Sequence, residues 1–249
     1  FKSEFFMNTQ TETLIKKEHF IQKTKSSKNI LFVYPLDESE SLAIQYLSSR
    51  LKCVGHKTDL ILYYSAEKNF KKRLTNKIKK FKPDFICFST VTDDYSINCR
   101  LAKLAKEISN AYIVFGGIQV TSCPEEVISK DFIDYIVLGE GDEAIVELVE
   151  NPDNLKIKNI WSKKNKKIIK NPIRPLIQNL DSMPFPDKEL FYKEAPYFKD
   201  VYHCITGSGC PFSCTYCFNN YLRRVYNGNK WLRKRSVENV IKELRIMKE

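Results

Sequence analysis

No run of apolar residues in this 249-residue sequence approaches the roughly 18 needed to cross a bilayer. The start, Phe1-Lys2-Ser3-Glu4, also lacks the hydrophobic stretch of a signal peptide. A spanning or exported chain is therefore not expected, and a cytoplasmic location is. Histidine is nearly absent, with three residues; His19 and His56 read as surface side chains, and His203 is considered below. Arginine is the minority cation as well. Of the 41 basic residues behind the net charge of +11, 32 are lysines scattered along the chain, whereas phosphate and base recognition favours the bidentate arginine fork on one face. A Lys-rich solvated surface is expected, not a nucleic-acid partner. One stretch keeps RNA in view: Tyr221 to Glu249 holds nine basic and three acidic residues, a balance of 9 − 3 = +6. Because residue 1 is not Met and Glu249 falls inside a helical pattern, the sequence reads as a piece cut at both ends.

Residues 1–28 are polar and Lys-rich without a clear period, and are expected to form a mobile leader or a peripheral helix. From Asn29 onward, short apolar runs alternate with helical patterns. Ile30–Tyr34, Asp59–Tyr63, Asp84–Ser89, Tyr112–Phe115 and Tyr135–Leu138 read as strands buried on both faces. Between them, Leu42–Leu51, Asn69–Phe81 and Ile97–Ile108 carry helical stripes, a short helix starts near Pro124, and Asp142–Val149 closes the series. The pattern predicts a doubly wound, flavodoxin- or Rossmann-like α/β domain with a five-stranded parallel sheet over residues 29–150.

Ligands of such sheets bind beyond the carboxyl ends of the strands. The residues standing there are Pro35–Ser41, Ser89-Thr90, Gly116-Gly117 and Gly139-Glu140-Gly141. Paired glycines let a backbone approach a ligand closely, and each pair also suits a tight turn. Residues 151–200 read as a β-hairpin (Asn159–Ser162 and Lys167–Lys170) followed by a Pro-rich linker.

A new unit opens at residue 201. Tyr202–Thr206 reads as a strand, and it leads into Gly207-Ser208-Gly209-Cys210-Pro211-Phe212-Ser213-Cys214-Thr215-Tyr216-Cys217. Four of the eight cysteines lie within these residues, Cys204 among them. Three thiolates on one loop can hold three irons of a cubane cluster and leave the fourth iron without a protein ligand. A zinc site would require a fourth ligand, and His203, on the preceding strand, is poorly placed to supply it. A two-cysteine redox motif would need only Cys214 and Cys217. Cys53, Cys87, Cys99 and Cys123 read as small buried hydrophobes, and Cys204 is ambiguous.

Cys210-x3-Cys214-x2-Cys217, with Tyr216 before the third cysteine, resembles the signature of the radical S-adenosylmethionine superfamily. The resemblance implies a [4Fe-4S] cluster on Cys210, Cys214 and Cys217, with S-adenosylmethionine chelating the open iron. It also implies cleavage of that molecule to methionine and a 5′-deoxyadenosyl radical, with Tyr216 near the adenine. Ser236 looks like the N-cap of the first barrel helix, whose buried face would be Val237, Val240, Ile241, Leu244 and Met247.

Upstream, Lys82–Ser89, Phe115–Thr121, Gly139–Glu143 and Asn179–Asp187 resemble the members of that superfamily with an N-terminal cobalamin-binding domain. By that resemblance Ser89, Thr90, Gly116, Gly117, Gly139, Glu140 and Gly141 would line the cobalamin. The Asp-x-His-x-x-Gly motif that supplies a lower cobalt ligand in some cobalamin proteins is absent, so no histidine of the first loop would reach the cobalt.

These features together predict a cobalamin-dependent radical enzyme, methyltransferase-like or performing another radical transformation of an unactivated carbon, with residues 201–249 starting a (β/α) barrel. The expected partners are a small-molecule, lipid or natural-product substrate and an electron donor such as flavodoxin or ferredoxin. A radical enzyme that modifies RNA and a non-catalytic cobalamin- or iron-binding module are the competing readings.

Overall fold

A computed structural model describes Thr24 and residues 26–36, 39–64, 67, 69–165 and 167–248. Most of the leader assigned to 1–28 lies outside the described residues. The chain begins with β1 (Asn29–Pro35), α1 (Leu42–Cys53), β2 (Lys57–Tyr63), α2 (Phe70–Phe81), β3 (Phe85–Ser89) and α3 (Thr92–Ile108). It continues through β4 (Tyr112–Gly116), α4 (Ile118–Ser122), α5 (Pro124–Ile128), β5 (Tyr135–Val137) and α6 (Asp142–Glu150). After these come β6 (Ile160–Lys164), β7 (Lys167–Ile169), α7 (Glu189–Tyr192), β8 (Gly207–Ser208), α8 (Phe218–Val225), β9 (Arg233–Lys234) and α9 (Val237–Lys248).

The main sheet has the order β2-β1-β3-β4-β5-β6-β7. The five strands expected from the sequence pair in parallel, and β6 and β7 add antiparallel to β5. The count of five is thus corrected to seven: the hairpin placed beyond the domain joins its sheet, with Ile136 opposite Trp161.

Alternate residues of each central strand serve opposite faces, as the strand period of two requires. Ile30, Phe32, Phe85, Cys87, Val114 and Val137 pack on the side of α1 and α6; Leu31, Val33, Ile86, Phe88, Ile113 and Phe115 pack on the side of α2 and α3. Helices covering both faces explain why these strands read as continuous apolar runs.

Three local expectations are overturned. Tyr202–Thr206 forms no strand, because its carbonyls are taken by side chains and by a single backbone bond: Lys188 Nζ donates to His203 O at 2.7 Å, Arg235 to Ile205 O at 2.9 Å, and Arg235 N to Thr206 O at 3.0 Å. The strand comes directly after, as β8, and pairs antiparallel with β9. His56 is buried, its Nδ1 accepting from Lys28 N–H at 3.3 Å. On α9, Ser236 does cap the helix, accepting from Asn239 N–H at 3.1 Å. Its apolar stripe is open, however, with Val237 72% exposed, because no other described element covers that face. Of the four cysteines read as buried, Cys87 is, while Cys53, Cys99 and Cys123 are half-buried.

Candidate functional site

At the carboxyl end of the sheet a cavity of about 350 Å³ opens on the side of α1 and α6. Phe32, Val114 and Val137 form its floor and Ala43, Tyr46 and Leu47 of α1 one wall. Ser89, Gly116, Gly117 and Gly141 stand at its edge, and Ile205, Gly207 and Arg235 reach in from the cysteine-bearing part of the chain. The volume is at the small end of ligand pockets. Its lining is mostly apolar, with Arg235, Glu140 and Asp142 as the charged residues.

The glycines differ in what they do. A Cβ on Gly116 would meet nothing nearer than Val137 at 3.8 Å, so a longer side chain there would grow into the cavity. Gly117 has φ +100° and lies so close to Thr90 that a Cβ would be 2.7 Å from its carbonyl oxygen. The sharp turn after β4 therefore requires glycine. Gly139, at φ +64°, leaves the space that the Tyr226 hydroxyl fills.

Thr90, expected at the ligand, does not line the cavity. Its hydroxyl accepts from Asn98 Nδ2 at 3.0 Å, and Asn98 accepts from Tyr63 at 2.8 Å, a buried chain that fixes the loop after β3. Glu140 lines the cavity, but its carboxylate is committed to the two terminal nitrogens of Arg233 at 3.1 and 2.6 Å.

Asp142, which sequence reasoning left unassigned, stands on the cavity wall at the start of α6. Burial, followed by repulsion from Glu140, raises its pKa to about 6 from the ordinary carboxylate value. Because the native value is raised, the proton is held more tightly in the folded protein. Stability therefore falls as pH climbs through about 4 to 6 and levels off above. Asp142→Asn is expected to raise the urea midpoint at pH 8 and to lose that advantage near pH 4; equal midpoints at pH 8 would remove the strained carboxylate. The signal available in the sequence was an acidic residue right after a strand-end glycine pair.

The cysteine loop leaves β8 and enters α8. Cys210 O accepts from the Trp231 indole at 2.9 Å, and Cys217 N–H donates to Cys214 O at 3.1 Å. Cys210, Cys214 and Cys217 are half-buried on one loop. Among the described residues, however, no three His, Cys, Asp or Glu side chains are gathered into a metal-binding group. The donor set, three accessible thiols from one segment, is the kind that holds iron-sulfur clusters. Phe212 and Tyr216 are exposed, the latter at 91%. Two of the arginines that raised the RNA reading are engaged elsewhere: Arg233 with Glu140, and Arg235 in a buried pair with Glu243.

A doubly wound sheet with strand order 2-1-3-4-5, an apolar slot beyond its carboxyl edge and a glycine pair at that edge defines a nucleotide- or cofactor-binding α/β domain. Residues 30–149 match the model of the B12 binding domain.

An uncharacterised methyltransferase of Pyrococcus horikoshii is 36% identical over 178 residues, which is 68% of this chain and 38% of that protein. The anaerobic magnesium-protoporphyrin IX monomethyl ester cyclase of Cereibacter sphaeroides is 28% identical over 70% of this chain and 30% of its own length. Among solved structures, the radical S-adenosylmethionine methyltransferase TsrM of Kitasatospora setae, with cobalamin and a [4Fe-4S] cluster bound, superposes with a TM-score of 0.66. Its identity is 14%, over 88% of this chain and 45% of that one. The chain thus spans less than half the length of each of these proteins, and the last of them shares its fold. No helix among the described residues is long and apolar enough to cross a membrane.

Proposed function

We propose that this chain is the cofactor-bearing part of a cobalamin-dependent radical S-adenosylmethionine enzyme, acting as a methyltransferase or in another transformation of an unactivated carbon. The observation that carries the reading is the juxtaposition of two features: a cavity at the edge of the stretch that matches the B12-binding domain, and a three-cysteine loop whose preceding strand, β8, lines that cavity. The likeness in fold to one protein that binds both groups, and in sequence to another named a methyltransferase, supports it.

In this reading Cys210, Cys214 and Cys217 hold the cluster, while Ser89, Gly116, Gly117 and Gly141 border the corrinoid. The cluster, when bound, supplies the electron that cleaves S-adenosylmethionine, and the corrinoid carries the group transferred. The protein's share is to exclude water from the slot with Phe32, Val114, Val137 and Leu47 and to hold both loops at fixed separation. Among the described residues no histidine lines the cavity, and His56 sits at the opposite, amino end of β2. The cobalt would therefore have no histidine ligand from the residues around this cavity. The substrate is taken as a small molecule, lipid or natural product, and the electron donor as a flavodoxin or ferredoxin.

The test is anaerobic reconstitution of the full-length protein with iron and sulfide, followed by S-adenosylmethionine and a reductant. Cluster absorbance and release of 5′-deoxyadenosine are expected; neither appearing would refute the reading. The RNA-modifying alternative loses support from the burial of Arg233 and Arg235 in ion pairs.

A further inference from the structure

The Gly139-Glu140-Gly141 segment has two sides. One borders the cavity; the other is gripped by residues that follow the cysteine loop. The Tyr226 hydroxyl fills the space left by the missing Cβ of Gly139 and accepts from Glu140 N–H at 2.7 Å. Arg233, whose side chain is 2% exposed, donates to both oxygens of Glu140, to Ile177 O at 2.8 Å and to Ser208 Oγ at 2.8 Å. Ser208 lies two residues before Cys210, and Trp231, two residues before Arg233, holds the Cys210 carbonyl.

The contact is too close for side chains between the strands. A Cβ on Gly207 would be 2.8 Å from Arg233 O, and one on Gly209 would overlap the Trp231 backbone. The cysteine loop is therefore packed closely on β9, and β9 is tied to the cavity wall through an ion pair whose arginine is buried. The planar fork of Arg233 is what allows four simultaneous bonds; lysine, a point donor, could not make them.

We propose that Tyr226 and the Glu140–Arg233 pair form a latch through which occupancy of the cavity is transmitted to the cysteine loop, with Arg233 and Tyr226 acting as positioning residues. The occupant is the corrinoid of the reading above, on which this inference rests. A ligand that orders the 139–141 segment stiffens Glu140; with its N–H held by Tyr226, the Glu140 carboxylate passes this through Arg233 and Ser208 to the entrance of the loop at Gly209 and Cys210. Simple packing between two parts of a chain would not give this directional response.

The experiment is hydrogen–deuterium exchange on the full-length protein, with and without hydroxocobalamin, reading peptides over 139–143 and 207–217. In the wild-type protein the ligand should slow exchange at least ~3-fold in both segments. In Arg233→Lys it should still bind, by its visible absorbance, and slow exchange at 139–143 while leaving 207–217 unchanged. Tyr226→Phe, which keeps the ring and loses the bond to Glu140 N–H, should show the same uncoupling and serves if the lysine variant does not fold. Slowing at 207–217 in variants that bind the ligand would overturn the latch. If the wild-type protein takes up no hydroxocobalamin, the functional reading fails, and the ligand-free proteins decide. Exchange at 207–217 must then be faster in the variants than in the wild type, with residues 30–34 unchanged; equal rates overturn the latch as well.

Discussion

Replacing any one of Cys210, Cys214 and Cys217 with alanine in the full-length protein should cut bound iron after anaerobic reconstitution from about four to below about one per chain. Release of 5′-deoxyadenosine should fall to background with it. The three thiols come from one short loop between β8 and α8, and a cubane held by three protein ligands has no spare to take over when one is lost. Cys204 is the internal control. It lies close by, but its thiol is pushed above the usual range by burial and by the neighbouring Glu243 carboxylate, and it contacts Arg235 at 3.8 Å. Cys204→Ala should retain the cluster. Loss of iron in the Cys204 variant, or retention in any of the other three, would contradict the assignment.

The second large effect is expected at Gly116. Its missing side chain opens onto the cavity, and the nearest atom to a Cβ is 3.8 Å away. Gly116→Leu should therefore leave the fold intact and fill the slot, weakening hydroxocobalamin binding at least ~10-fold, or ~1.4 kcal/mol. Gly117→Ala makes the informative contrast. Its Cβ would press on the Thr90 backbone at a φ of +100°, so it should lower thermal stability before it says anything about the ligand. Unchanged affinity in a folded Gly116→Leu protein would mean that the cavity is not where the corrinoid sits.

The doubly wound part of the molecule was legible because each of its strands is buried on both faces and so leaves an uninterrupted apolar run. Ile30–Val33 and Phe85–Phe88 are instances. The hairpin was legible as a hairpin. Its addition to β5 was not, since the pairing of Ile136 with Trp161 depends on where the chain returns and not on any local pattern.

The site shows the same division. Gly116, Gly117 and Gly141 were found from their place after strands, and they do edge the cavity. Thr90 was included for the same reason and turns inward to Asn98, a choice set by Tyr63 on a different strand. Glu140 was read as a ligand contact from its place after β5 and from the family resemblance. Its partner Arg233 is 93 residues away, and nothing in either stretch announces the pair. His56 was misjudged for a related reason: the Lys28 N–H that satisfies it comes from a polar segment with no visible period.

The basic C-terminal stretch teaches the converse. Charge counted along the sequence suggested an RNA surface, yet two of its arginines are neutralised internally by Glu140 and Glu243. Net charge reports on partners only when it is free to face them.

A corrinoid site in the cavity beside the cysteine loop is tested directly by retention of hydroxocobalamin. The full-length protein, mixed with excess hydroxocobalamin and passed through gel filtration, is predicted to elute with about one corrinoid per chain by its visible absorbance. Its Gly116→Leu variant should elute without it. A wild-type protein that emerges colourless would contradict the account.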